Sequence, residues 1–418
     1  MGSSSTVVVK PGPAVAVFDG DAPPTLAFVR ALGRAGVPVT VYSHGRLPAA
    51  RLSRYCTRFD TCPDPADFAT FLPWLRARLR TGAIELVAPT SDLVAFALTE
   101  VHDDCPAAFR RVLPEPADAL AVLFKDRFAE ACQRHGVRAA LSFSPVGFND
   151  AVARSSSLRF PLILKPKSHV GGGHERGVVV DDVDALRAAL RPYVAAAGQR
   201  DVMERDPAWR WPLVQEYIPR ALENLFSVSG LIAPSGEILA LSGSWKRSQW
   251  PPTLGVGTVF ESVADEALLA RGSAIARALL GRGLFELELI RDERDGGYVA
   301  IDLNPRGYGQ MSFEIARGLD LPRLWYACAT GQEGGASRAT SRADEMVWIH
   351  GIPFHIGQLV GIAKGPRRWA RARDYVRGLG RRRVGIVADW RDPLPGLAYA
   401  FKMFRHPGGL VRPFLQEG

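Results

Sequence analysis

Phe160-Pro161-Leu162-Ile163-Leu164-Lys165-Pro166-Lys167 is an apolar run that ends on cations, and Gly171-Gly172-Gly173 and then Gly177-Val178 follow it. A lysine closing a hydrophobic strand sits in partial burial, where its ammonium needs an anion. Glycines just beyond it can bring backbone N–H groups close to phosphate oxygens. A surface lysine followed by a hairpin loop accounts for the same letters equally well. The loop is not a Walker A motif, because no Gly-Lys-Ser/Thr follows the glycines.

A second pattern is Glu286-Leu287-Glu288-Leu289-Ile290-Arg291-Asp292, then a turn, then Ile301-Asp302-Leu303-Asn304-Pro305-Arg306. In a hairpin alternate residues share a face, so Glu286 and Glu288 point one way and Asp302 and Asn304 point one way. Carboxylates facing one another across strands repel. A cation relieves that repulsion, and hard oxygen ligands suit Mg²⁺. A solvated strand face with scattered acids is the plainer alternative. Asn304-Pro305-Arg306 at the strand end, where a substrate could sit, favours the functional reading.

Other candidates carry less alone. Leu213-Val214-Gln215-Glu216-Tyr217-Ile218, with Glu223 seven residues after Glu216, says only strand then loop. Arg247, at the end of a hairpin strand, reads equally as a substrate-binding cation or a surface one. His169 and His174 flank the glycine loop and read better as loop residues than as catalysts. His350 and His355 lack the His-Glu-x-x-His spacing of zinc enzymes.

The elements that must position these residues come in two textures. Ala14 to Phe18, Val37 to Tyr42 and Ile84 to Thr90 read as strands, alternating with helices at Thr25 to Ala35 and Phe68 to Leu79. Such alternation implies a parallel, Rossmann-like sheet, here running to residue 115. Its first turn, Asp19-Gly20-Asp21-Ala22-Pro23-Pro24, lacks the Gly-x-Gly-x-x-Gly of a dinucleotide site. The unit is better read as a scaffold shaping part of a substrate pocket. From Leu120 the signals become antiparallel. A helix with Lys125 near its start precedes strands at Phe160 to Lys167 and Gly177 to Val180. After a helix from Asp184 to Ala195 come a strand at Leu213 to Ile218 and a hairpin of Leu225 to Ile232 with Glu237 to Trp245. A helix over Glu266 to Leu280 leads to a second hairpin, Leu284 to Arg291 with Tyr298 to Leu303. The middle is therefore α+β, in two lobes.

The 418 residues, 47% of them hydrophobic and 23% charged, fit two or three globular domains. No run approaches the ~20 apolar residues of a membrane span, and the start lacks a secretory layout. Five cysteines with no Cys-x-x-Cys argue against a disulfide framework or zinc site and fit a reducing cytoplasm. A net charge of +9 suits anionic partners such as nucleotide phosphates. No nucleic-acid-binding module is recognisable. The last ~80 residues, rich in Arg and Gly, are the least readable part.

Taken in order, Lys125, Lys165 before the Gly171-Gly172-Gly173 loop, Gln215-Glu216-Tyr217-Ile218, Glu223, Glu288 and Asp302-x-Asn304-x-Arg306 resemble the ATP-grasp superfamily over residues 118 to 332. Within it the chain looks most like the carboxylate–amine ligase (carboligase) group, a likeness carried by Arg306 to Gly331 and Pro89-Thr90-Ser91-Asp92.

The resemblance implies a Rossmann-like pre-ATP-grasp domain (1–115), an N-terminal lobe with the Gly-rich loop (116–212) and a C-terminal lobe with the metal site (213–335). A basic C-terminal region (336–418) has no assigned role. It also implies that Lys125 and Lys165 contact nucleotide phosphates, under a loop of Gly171, Gly172 and Gly173 that closes over them. Gln215, Glu216, Tyr217 and Ile218 would line the adenine, with hydrogen bonds from the backbone of Glu216 to Ile218, and Glu223 would hold the ribose. Glu288, Asp302 and Asn304 would bind Mg²⁺, and Arg306 would offset charge on the transferring phosphoryl group. Asp302 stands where the family more often has Glu, one methylene longer, which leaves an altered metal site open.

The expected activity is ATP-dependent activation of a carboxylate as an acyl phosphate and its ligation to an amine. The rival readings are a phosphotransferase and a nucleotide-binding regulator without turnover. The expected partners are small-molecule carboxylate and amine substrates, with a homodimer among the allowed assemblies and neither nucleic acid nor stable membrane insertion.

Overall fold

The structure is a computed structural model that describes residues 8–170, 177–197, 206–250, 256–333, 339–340, 347–349, 368–379, 383–385 and 387–405, with a few positions between 351 and 363. Short apolar runs supply the first sheet: β1 (Val15–Val17), β2 (Val39–Ser43), β3 (Arg58–Thr61) and β4 (Leu86–Val87). They lie in the order β3-β2-β1-β4, with every pair parallel. The predicted Rossmann-like arrangement is present, although the strand expected over Ile84 to Thr90 is only Leu86–Val87. The chain leaves β1 toward β2 on one side and returns to β4 on the other. In open parallel sheets ligands bind at such a reversal, beyond the carboxyl ends of the strands. Here the segments emerging there are Asp19 to Ala22 after β1 and Pro89 to Asp92 after β4.

The second sheet is small and antiparallel, in the order β5-β8-β6-β7: β5 (Ser142–Phe143), β6 (Leu162–Lys165), β7 (Val178–Val180) and β8 (Leu213–Glu216). Leu162, Leu164, Val180 and Val214 pack with Leu186 and Leu190 of the Val183–Ala197 helix. β8, which the expected division assigns to the C-terminal lobe, pairs with β5 and β6 of this sheet. The helix expected around Lys125 is two helices, Pro116–Leu123 and Lys125–Arg134. Phe124 between them is extended (φ −113°, ψ 117°), so Lys125 opens the second helix. Gly136 ends that stretch at φ +65°, a backbone state that suits a residue without Cβ.

Among the described residues the third sheet has eight strands: β9 (Leu225–Ile232), β10 (Ile238–Trp250), β11 (Val256–Val263), β12 (Gly283–Arg291), β13 (Tyr298–Asn304), β14 (Ala339–Thr340), β15 (Val347–Ile349) and β16 (Arg383–Gly385). They run β13-β12-β9-β10-β11-β15-β16, and β14 joins β10. The expected hairpins are both present. Leu287, Leu289 and Leu303 face a core shared with Leu268, Leu279 and Leu280 of the Glu266–Leu280 helix. Strands β14, β15 and β16 come from the region set apart at residue 336, so its described strands complete this sheet.

The first unit does not keep its core to itself. Trp325, fully buried in the Leu321–Ala329 helix, meets Phe28 and Phe109 edge-on at 5.6 and 6.1 Å. That contact fixes the first sheet against the third. All five cysteines are free thiols, four of them buried. Among the described residues no helix is long and apolar enough to cross a membrane.

Candidate active site

The β12–β13 pairing sets Glu286 opposite Asn304 and Glu288 opposite Asp302, with Ser229 and Ser227 of β9 on their other side. The polar face is thus continuous over three strands, while the Leu positions alternate onto the core face. At the hairpin turn Gly296 takes φ +72°, and Asp292 is spent on Arg294 and Arg138, both within 2.9 Å. Glu286 is 6% exposed. It accepts from Ser227 Oγ at 3.2 Å, from Asn304 Nδ2 at 3.3 Å and from Gln310. Burial, then the neighbouring charge of Glu288, pushes its carboxyl up to about 7, with Gln310 and Arg306 pulling the other way.

The cations come from two elements: the Lys125–Arg134 helix, whose Phe128, Ala131 and Cys132 pack in the core of the third sheet, and the end of β6 in the small sheet. Lys125 opens its helix, and its backbone N–H donates to the Lys167 carbonyl at 2.8 Å, tying that helix to the segment just after β6. Its ammonium sits 2.9 Å from Asp302 Oδ2, with the two side chains 10% and 13% exposed. Burial works against both charges, yet their attraction wins: Lys125 is raised and Asp302 lowered, Lys165 also helping to hold Asp302 down. Lys165, the last residue of β6, makes no ion pair among the described residues. Burial first, and then the charge of Lys125, brings it down to about 8. Lys167 is structural, donating to the Ala208 carbonyl at 2.9 Å and lying 3.3 Å from Asp126.

Arg306 reaches into the first unit. Its Nε and Nη2 donate to Asp92 Oδ1 and Oδ2 at 2.7 and 3.0 Å, a two-pronged pair. Nη2 also donates to Asn304 Oδ1 at 3.0 Å, and Nη1 to the Gly307 carbonyl at 2.9 Å. Four of the five guanidinium N–H groups are therefore committed, leaving one. Asp92 follows the N-cap Ser91, whose Oγ accepts from Val94 N. Burial opposes its charge, but the Arg306 charge and hydrogen bonds outweigh burial and hold the carboxyl at about 2. The Gly307 N–H donates to the Pro89 carbonyl at 2.7 Å, a second tie between the same two segments. The parallel sheet, the small lobe and the large sheet thus each deliver a charged side chain to one place.

No family model matches the chain, and no curated protein matches it in sequence. Solved structures do match. An N5-carboxyaminoimidazole ribonucleotide synthetase in complex with ADP superposes with a TM-score of 0.61, covering 85% of this chain and 86% of its own, at 13% identity. The L-amino acid ligase of Bacillus licheniformis gives 0.56 over 79% and 78%, at 17% identity. The biotin carboxylase of Campylobacter jejuni, as a β-γ-ATP complex, gives 0.59 over 77% and 72%, at 17% identity. The chain has the ATP-grasp fold.

Within that fold the remaining predicted residues fall in different settings. Gln215 is buried in β8, and Glu216 ends the strand, accepting from Arg159 N at 2.9 Å. The Glu216 and Tyr217 N–H groups are already committed to the Leu141 and Pro161 carbonyls, at 2.9 and 3.0 Å. Ile218 is buried just beyond. Glu223, exposed in the short Ala221–Glu223 turn, pairs with Arg220, while its carbonyl accepts from Trp245 Nε1 at 3.1 Å. Arg247 lies in β10, about half exposed, 2.8 Å from Glu261 and stacked over Trp245 at 4.6 Å. Gly171, Gly172, Gly173, His174 and His350 lie outside the described residues.

His169, set aside as a loop residue, lies at the exposed edge of the charged group. The Lys125 charge holds it below the usual histidine range. Asp92 and Gln310 are contributors that pattern reading did not assign. The signal for Asp92 was its place: a carboxylate about five residues past a strand at the sheet's reversal, beside an N-cap serine. Nothing local marks Gln310.

Proposed function

We propose that the chain is an ATP-dependent carboxylate–amine ligase that activates a carboxylate as an acyl phosphate and joins it to an amine, on an amino acid or peptide-like substrate. The observation that carries this reading is the meeting of Lys125, Lys165, Asp302 and the Arg306–Asp92 pair at one enclosed point. A carboxylate approaching a γ-phosphate is one anion approaching another, so the site must cancel charge away from bulk water. Lys165 has no carboxylate partner among the described residues, and an ammonium lowered by burial is relieved when phosphate oxygens arrive. Lys125, resting on Asp302, is the second cation for the same phosphates.

Among the described residues no three His, Cys, Asp or Glu side chains are arranged to hold a metal unaided. Glu288, Asp302 and the Asn304 amide are nonetheless hard oxygen donors, and Mg²⁺ is commonly held by one or two carboxylates with phosphates completing its shell. Bound there, Mg²⁺ would supply charge neutralisation between the phosphates. Asn304 Oδ1 already accepts from Arg306, which orients that amide. Arg306 brings one remaining N–H and a charge shared with Asp92, so it acts as a point donor at the transferring group. For the adenine edge, the committed donors of Glu216 and Tyr217 leave the Ile218 N–H as the backbone candidate. Glu223 must exchange Arg220 for the ribose to fill the role the resemblance gives it.

The reaction balances as two steps. A substrate carboxylate oxygen bonds to the γ-phosphorus while the bond to the β-phosphate oxygen breaks and ADP leaves. The amine nitrogen then bonds to the acyl carbon, phosphate leaves with the electron pair, and the nitrogen loses a proton. The test is Mg²⁺-dependent release of ADP and phosphate across a panel of amino acids and dipeptides. A ligase turns over only with an acid–amine pair and yields the condensed product by mass. Turnover with a single acceptor and a stable phosphorylated product points to a phosphotransferase instead.

A further inference from the structure

Pro89 to Asp92, the loop after β4, is tied in two directions. Its outer residues reach the large sheet: the Pro89 carbonyl accepts from the Gly307 N–H at 2.7 Å, and Asp92 takes the two-pronged Arg306 pair. Its middle residues turn back to the end of β1. Thr90 Oγ1 donates to the Phe18 carbonyl at 3.3 Å, which also accepts from Thr25 Oγ1 at 2.7 Å. Ser91 Oγ donates to Asp19 Oδ2. Asp19 is thereby linked to the Arg306 guanidinium through two adjacent residues, Ser91 and Asp92.

The backbone of Asp19 stands at φ +52°. Glycine takes that left-handed state freely, and Asn and Asp tolerate it better than other residues. A glycine would relieve the backbone here but would offer Ser91 no acceptor. Such an outlier at a strand end, where the sheet reverses, points to a use for the side chain. A serine hydroxyl has one proton. Asp19 takes it, so the oxygen lone pairs are left for the Val94 N–H, which donates to Ser91 Oγ at 3.2 Å. That bond caps the Asp92–Glu100 helix and fixes Asp92, the residue that opens it. Asp92 in turn holds Nε and Nη2 of Arg306, which sets where the remaining Nη1 N–H points. Asp21 in the same turn is engaged elsewhere. It pairs with Lys402 at 2.6 Å and accepts from the Ala49 N–H at 2.8 Å.

We infer that Asp19 is a positioning residue: acting through Ser91 and Asp92, it aims the remaining N–H of Arg306 at the transferring group. What Arg306 does there rests on the ligase reading, whereas the link from Asp19 to Arg306 does not depend on it.

Asp19→Gly and Asp19→Asn separate the backbone from the acceptor, because both residues accept a positive φ and only asparagine keeps an oxygen for Ser91. Turnover is followed as Mg²⁺-dependent ADP release with the acid–amine pair that supports the wild type, and Asp21→Ala is the control for the loop. Asp19→Gly is expected to lower kcat about tenfold or more, with KM for ATP changed about twofold or less. Asp19→Asn should return at least about half of the wild-type kcat, and Asp21→Ala should change it about twofold or less. Full activity of Asp19→Gly, or a raised KM for ATP at unchanged kcat, overturns the inference. So does an Asp19→Asn variant as slow as Asp19→Gly. The negative charge is then what matters, and Asp19 meets a cationic substrate group directly, in the cavity of about 190 Å³ that it lines with Ser43 and His44. Urea unfolding of Asp19→Gly, Arg306→Ala and the double variant reads the link without activity. Losses that depart from additivity by about fivefold or more in the unfolding constant are expected, and additive losses overturn the link. A wild type that turns over with no pair, beside a non-additive cycle, counts against the ligase reading alone and leaves the link standing.

Discussion

Two stretches of one eight-stranded sheet carry ion pairs of nearly equal length and opposite character. At the β12–β13 hairpin, Asp302 meets Lys125 at 2.9 Å with both side chains almost enclosed. On β10 and β11, Arg247 meets Glu261 at 2.8 Å with the arginine about half in water. Distance does not separate them; solvent does. An exposed pair is worth at most about 1 kcal/mol, because water and salt screen it. An enclosed pair is expensive to break, since the abandoned charge stays buried. In the proposed reading, enclosed charges kept around one point stand ready for a charged ligand, whereas the β10–β11 pair stands half in water.

The comparison can be broken or sharpened in four ways. The largest effect is expected from Asp302→Ala, which strands Lys125 and removes a hard oxygen. Turnover should fall about a thousandfold, read as ADP release under saturating substrates. Asp92→Ala comes next. It leaves the Arg306 guanidinium without its two-pronged partner, and urea unfolding should show a loss of about 3 kcal/mol. A double-mutant cycle with Arg306→Ala should return a coupling of at least about 1 kcal/mol, and additive losses would show that the pair is not a unit.

The third effect is pH-dependent. Lys165 is lowered to about 8, so its charged fraction falls as pH rises past that value. Where its charge is needed, kcat/KM for ATP drops about tenfold per pH unit above 8, and Lys165→Arg removes the drop. The stability sign is opposite. The fold prefers the neutral amine and the unfolded chain the charged one, so this residue's penalty is relieved as pH climbs from 8 toward the unfolded value. Lys165→Met should accordingly stabilise the protein near neutral pH by on the order of 1–2 kcal/mol, read as a raised unfolding midpoint. Arg247→Ala should do least, changing stability by about 0.5 kcal/mol or less and turnover by about twofold or less. A large loss there would favour Arg247 as a substrate-binding cation.

How far the letters carry follows the same division. The hairpin of Glu286, Glu288, Asp302 and Asn304 was legible because period-two alternation fixes which residues share a face, and the register sets those four across from each other. Lys165 and Lys125 were legible as strand end and helix start. The Asp92–Arg306 pair was not, since 214 residues separate its partners and only the fold brings them together. The sheet that β8 joins was not legible either, because its pairing with β5 and β6 is set by strands distant in the chain. The part of the third sheet beyond residue 336 was unreadable for a related reason. β14, β15 and β16 are two or three residues long and draw their stability from strands already in place, so little local pattern is required of them.

The central claim is that the Lys125–Asp302 pair and Lys165 mark a nucleotide site. Titration calorimetry of ATP, with and without Mg²⁺, on the wild-type chain and on Lys165→Ala tests it most directly. The account predicts Mg²⁺-dependent binding that the substitution weakens at least about tenfold. No binding by the wild type, or equal binding by the variant, would contradict it.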